Sequence, residues 1–127
     1  MRELSVGVDL VDVAEVEQAM SHFGERYLAR IYTPGELAYA LAAPTEAARR
    51  LGARFAAKEA GMKALGTGWR RGIQWKDFEV VNLPSGRPTL LLHGEAEAIA
   101  KRAGVNSIQL SLTHTSKDAL AHVIFEG

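Results

Sequence analysis

Lys58, Glu59 and Lys63 fall within Ala56-Ala57-Lys58-Glu59-Ala60-Gly61-Met62-Lys63, a stretch whose alanine content favours a helix. At about 100° per residue, Leu51, Phe55, Met62 and Leu65 line one apolar stripe, with Lys58 near its middle and Glu59 at its edge. A charge on a packing face is costly unless it is paired or holds a ligand. Two readings stand at this level. In one, Lys58 snorkels to solvent and Glu59 pairs with Lys63 a turn later. In the other, the same groups bind something. Asp9 is the second anomaly, closing the apolar run Val6-Gly7-Val8-Asp9-Leu10. Carboxylates at strand ends serve ligands or hard cations, and they also accept backbone N–H bonds at the approach to a helix. Asp9 and Glu59 together offer two oxygen donors, the number Mg²⁺ commonly takes from protein while keeping water and phosphate oxygens. Their separation of about fifty positions is not a motif by itself.

Ser111, Thr113, Thr115 and Ser116 surround His114 with hydroxyl donors, suited to phosphate or nucleotide contacts and equally to a hairpin built from strand-favouring and turn-favouring residues. His22, His93 and His122 have no partner spacing that assigns them chemistry. Gly66-Thr67-Gly68-Trp69-Arg70-Arg71-Gly72 is not a phosphate-binding P-loop. It lacks the Gly-Lys-Ser/Thr ending and follows a helix instead of opening one.

These residues need elements to hold them. Leu4, Val6, Val8 and Leu10 alternate with Ser5, Gly7 and Asp9, the period of a strand with one buried face. Asp12 is placed as an N-cap with Glu15 as its capping-box partner, and residues 12–22 are predicted as an amphipathic helix. Thr33-Pro34-Gly35-Glu36 opens another helix, and Thr45 to Leu65 forms the longest, stopped by Gly66. The chain then changes period. Strands begin at Phe78 and run from Pro88 to Leu92, a short helix spans residues 95–103, and strands at 108–114 and 119–125 flank a turn at Thr115 to Asp118. The expected fold is α+β, a mainly antiparallel sheet packed on a long helix in one domain over residues 1–127.

Composition bounds the function. With 15 Lys+Arg against 15 Asp+Glu in 127 residues, nothing predicts a general affinity for nucleic acid or anionic membrane. The absence of cysteine excludes disulfides, a thiolate nucleophile and thiolate zinc sites, and fits a reducing cytoplasm. No run approaches the roughly 18 apolar residues of a membrane helix, and the N-terminus has no signal-peptide pattern.

Val6-Gly7-Val8-Asp9-Leu10, the block from Arg54 to Gly68 with its Phe-x-x-Lys-Glu-Ala-x-x-Lys core, and Ser111-Leu112-Thr113-His114-Thr115 closely resemble three motifs of the holo-(acyl carrier protein) synthases. These are the short 4′-phosphopantetheinyl transferases, and the resemblance covers essentially the whole chain. It implies transfer of the phosphopantetheine arm of coenzyme A to a serine of an apo acyl carrier protein of fatty acid or polyketide synthesis, with release of adenosine 3′,5′-bisphosphate. Carried over, Asp9 and Glu59 hold Mg²⁺, and Arg54, Lys58, Lys63, His114 and Thr115 contact coenzyme A. Glu59, or a water at the metal, takes the serine proton, and Lys63 stabilises charge on the leaving group. The resemblance further implies a homotrimer with each site between subunits. One departure concerns docking. Residues 12–25 contain no Lys or Arg and display Glu15, Glu17 and Glu25, where the family carries cations that meet an acidic carrier helix. Carrier contact then shifts towards Arg26, Arg30 or Arg70 and Arg71, or the carrier is less acidic. A non-catalytic module binding coenzyme A or the carrier, and a purely structural subunit, are the alternatives.

Overall fold

The structure, a computed structural model, describes residues 3–67 and 72–127. In chain order its elements are β1 (Leu4–Asp12), α1 (Val13–Ile31), α2 (Pro34–Leu41), α3 (Ala47–Leu65), β2 (Phe78–Asn82), β3 (Pro88–Leu92), α4 (Gly94–Arg102), β4 (Ser107–His114) and β5 (Asp118–Glu126). Among the described residues the strands form two antiparallel sheets, one ordered β1-β5-β4 and one pairing β2 with β3. The expected α+β fold with antiparallel strands around a long helix is what is observed. Gly68, Trp69, Arg70 and Arg71, two of them candidates for carrier contact, lie outside the described residues.

Local chemistry explains most boundaries. The Asp12 carboxylate accepts the Ala14 N–H at 2.8 Å and starts α1. The expected reach of Glu15 back to Asp12 is not part of that cap, and α1 continues nine residues past the predicted end. It does so by breaking at Gly24 (φ 75°, ψ −165°), a conformation open to glycine, so two helical pieces read as one. The Thr33–Glu36 capping box forms as predicted: the Thr33 hydroxyl accepts the Glu36 N–H at 3.2 Å, and the Glu36 carboxylate accepts the Thr33 N–H at 2.9 Å. A 3₁₀ turn at Pro44–Glu46 precedes α3, and Gly66, with φ of 77°, ends it.

Helix α3 is the hub of the core. Its alanines at 56, 57, 60 and 64 are buried, together with Phe78, Val80 and Leu90 from β2–β3 and Ala121, Val123 and Phe125 from β5. One expectation is overturned. The apolar set Leu4, Val6, Val8 and Leu10 does not face this core but points outward, 50% to 65% exposed. The inward face of β1 instead carries Gly7, where a Cβ would lie 1.8 Å from the carbonyl oxygen of Ala60. Helix α3 comes so close to β1 that only the small-residue face of the strand can meet it.

Candidate active site

Two turns of α3 face β1, and they carry the chemistry. The Lys63 ammonium lies 3.1 Å from Asp9 Oδ1 and donates to the carbonyl of Val8 at 3.0 Å. Glu59 sits one turn earlier. Partial burial pushes its carboxyl above the usual range, the charge of Asp9 pushes the same way, and Lys63 opposes both. Two carboxylates thus share one neighbourhood, and a half-exposed ammonium pairs with one of them, Asp9. This donor set fits a hard divalent cation that takes two protein oxygens and leaves the rest of its shell to water and phosphate. No group of three or more His, Asp or Glu side chains that could hold a metal ion occurs among the described residues.

The remaining predicted residues do not join this cluster within one chain. Arg54 and Lys58 are directed to a different face of α3, about 140° and about 100° around the helix from Glu59 respectively, against α2 and β2. Lys58 does not snorkel. It is fully buried, donating to Glu36 Oε1 at 2.7 Å, to the Phe78 carbonyl at 2.6 Å and to the Trp75 carbonyl at 3.4 Å. All three of its protons are spent inside the fold, and burial pulls its pKa down while Glu36 holds it up. Within one copy of the chain Lys58 is committed to this internal ion pair and stands apart from the Asp9–Glu59 carboxylates. Arg54 is 4% exposed and reaches Asn82 Oδ1 only at 3.4 Å. His114 ends β4, separated from β1 by the whole of β5. The Thr115 hydroxyl accepts the N–H groups of Lys117 and Asp118 at 3.1 and 3.0 Å, the turn role its residue type allows.

Glu36 is the residue that sequence reasoning undervalued. It was legible as the reciprocal half of a helix cap, yet it also accepts from Lys58 and, at 2.8 Å, from the backbone of Val80. The signal was available from the other side, since a lysine in the middle of a packing stripe demands a buried acid.

A small antiparallel sheet thus packs against a long helix, and a strand carboxylate and a helical carboxylate come together beside a lysine. The profile of the 4′-phosphopantetheinyl transferase superfamily matches residues 5–122. The holo-[acyl-carrier-protein] synthase of Solibacter usitatus is 52% identical over 124 residues, covering 98% of both chains. The crystal structure of the holo-[acyl-carrier-protein] synthase from Neisseria meningitidis superposes with a TM-score of 0.86 at 29% identity, covering 97% of this chain and 98% of that one. The Bacillus anthracis holo-(acyl-carrier-protein) synthase, solved in complex with CoA (3′,5′-ADP), superposes with a TM-score of 0.79 at 27% identity, over 97% and 96% of the two chains. The chain belongs to the 4′-phosphopantetheinyl transferase superfamily and, within it, to the holo-[acyl-carrier-protein] synthases, as its three motifs indicated.

Proposed function

We propose that this protein moves the 4′-phosphopantetheine arm of coenzyme A onto a serine hydroxyl of an apo acyl carrier protein, releasing adenosine 3′,5′-bisphosphate, with Mg²⁺ held by Asp9 and Glu59. The observation that carries this reading is the convergence of Asp9, Glu59 and Lys63 in a chain of this family. Bound at the two carboxylates, Mg²⁺ supplies charge neutralisation to a diphosphate that otherwise repels its nucleophile. Glu59, or a water at the metal, takes the serine proton. Lys63, exposed and held by the Asp9 carboxylate and the Val8 carbonyl, exchanges these surface contacts for the departing bisphosphate. Arg54, His114 and Thr115 contribute contacts to coenzyme A from a neighbouring copy of the chain, since they stand apart from the carboxylates within one copy.

Carrier docking is assigned to the second piece of α1. Arg26 and Arg30, with Lys76, line a groove of about 400 Å³ floored by Ala29, Ile73 and Trp75. That surface complements an acidic helix, whereas Glu15 and Glu17 on the first piece repel one. None of the described helices is long and apolar enough to cross a membrane, and a cytoplasmic site of action fits the absence of cysteine.

The test is to incubate the protein with apo carrier, coenzyme A and Mg²⁺ and to weigh the carrier intact. A gain equal to phosphopantetheine is expected, lost in Asp9→Asn and in Glu59→Gln while both stay folded. No mass gain with a panel of carriers would remove the enzymatic reading, and near-normal turnover by either variant would remove the metal assignment.

A further inference from the structure

Arg50 and Arg54 stand one turn apart on α3, a spacing at which like charges repel. Both nevertheless converge on one aromatic ring. The guanidinium carbons of Arg50 and Arg54 each lie 4.1 Å from the ring centroid of Tyr39 on α2, so the two charges sit within twice that distance of one another. Arg50 is tied to the same residue a second time, donating to the Tyr39 carbonyl at 2.7 Å.

The nearby acids are already committed. Glu36 is consumed by Lys58 and Glu46 by Arg49. Arg54 is 4% exposed, and its Nε is buried without an acceptor among the described residues. A buried guanidinium donor left without an acceptor, beside a second guanidinium, is a site short of an anion.

We propose that Tyr39 is a positioning residue whose ring holds Arg50 and Arg54 together as one cationic pair that receives a phosphate of coenzyme A. The proposal rests on the transferase reading and adds two residues, Tyr39 and Arg50, that the sequence motifs do not assign. The ring attracts both cations through its face and sets their spacing, and the guanidinium N–H groups not given to the Tyr39 carbonyl or to Asn82 are left to the ligand. Tetrahedral phosphate oxygens then complete the hydrogen bonding that Arg54 lacks.

The experiment compares Tyr39→Leu, Tyr39→Phe and Arg50→Gln with the parent protein, using coenzyme A and apo carrier in steady-state transfer and coenzyme A alone in calorimetry. Tyr39→Leu is expected to raise KM for coenzyme A and its dissociation constant by about fivefold or more, the size of one lost cation–π contact, with kcat and the carrier KM within about twofold. Tyr39→Phe keeps the ring and stays within about twofold of the parent in every constant. Arg50→Gln, on a half-buried residue, shows the same rise and keeps the test decisive if Tyr39→Leu fails to fold. Unchanged affinity in both Tyr39→Leu and Arg50→Gln overturns the proposal. So does a fall in kcat at constant KM, or a Tyr39→Phe as impaired as Tyr39→Leu. A parent protein that neither binds coenzyme A nor transfers would instead overturn the transferase reading itself.

Discussion

At the scale of single residues, Lys58 shows how a motif position and a chemical role can part company. It sits between Phe55 and Glu59 in the most specific stretch of the sequence, yet its ammonium is sealed against Glu36 with both side chains fully buried. Breaking such a pair by removing one member leaves an uncompensated charge in the core, at a cost of roughly 3–5 kcal/mol. Lys58→Met is therefore expected to lower the free energy of unfolding by about that amount in a denaturant titration. Pairing it with Glu36→Gln should recover part of the loss, because the neutral amide removes the uncompensated buried charge and keeps one acceptor oxygen, enough for either the Thr33 or the Val80 N–H. A direct contact with coenzyme A predicts the reverse: stability near the parent value and binding lost. The sequence showed that Lys58 needed a partner, because its helical position was plain. The identity of that partner depends on how α2 lies across α3, which no local spacing encodes. Asp9, Glu59 and Lys63 were legible as a set only through family motifs, since a strand-to-helix pairing about fifty positions apart has no periodicity to read.

At the scale of elements, the distance between β1 and α3 decides whether Asp9 and Glu59 face one another at a useful separation. Gly7 fixes that distance, because an added Cβ would meet the Ala60 carbonyl oxygen at 1.8 Å and the Ala64 nitrogen at 2.9 Å. Both are backbone atoms of a helix and have no rotamer to yield. Gly61 guards the opposite side of α3, where an added Cβ would meet Phe78 Cδ1 at 2.9 Å and Leu90 Cδ2 at 3.1 Å, side-chain atoms that can shift. Overpacking a core costs about 1–3 kcal/mol, so Gly7→Ala and Gly61→Ala should both lower the melting temperature, Gly7→Ala more. The difference lies in the site. Gly7→Ala is expected to raise severalfold the Mg²⁺ concentration that gives half-maximal transfer, while Gly61→Ala leaves it near the parent value. Equal Mg²⁺ requirements in the two variants would show that the β1–α3 distance does not govern the carboxylate pair. The helix and strand boundaries were largely readable from caps and turns, with Thr33–Glu36 as the clearest case. The extension of α1 past Gly24 was not, because a glycine in the left-handed region ends one helical piece and a second begins directly after it, across a kink.

At the scale of the whole molecule, the surface that remains to be explained is the outer face of β1. Alternation in Leu4, Val6, Val8 and Leu10 identified the strand but not its neighbour, because period two states only that one face avoids water. In the isolated chain that face is open, and β1 is also a terminal strand of its sheet, with no strand paired beyond it among the described residues. A contiguous apolar stripe on a sheet edge invites association, and identical chains satisfy such surfaces in closed symmetric assemblies. Trimerisation would cover this stripe, and it would also let one copy's Arg54, His114 and Thr115 reach the carboxylates of the next. Val6→Asp places a charge in the middle of the stripe without touching α3. It is expected to yield a folded species near the 13.8 kDa of one chain by light scattering, where the parent gives three times that mass. Transfer should fall at least about a hundredfold if each site is divided between copies. A monomer with parental activity would show that one chain suffices, and the coenzyme contacts would then have to be sought around α3 itself.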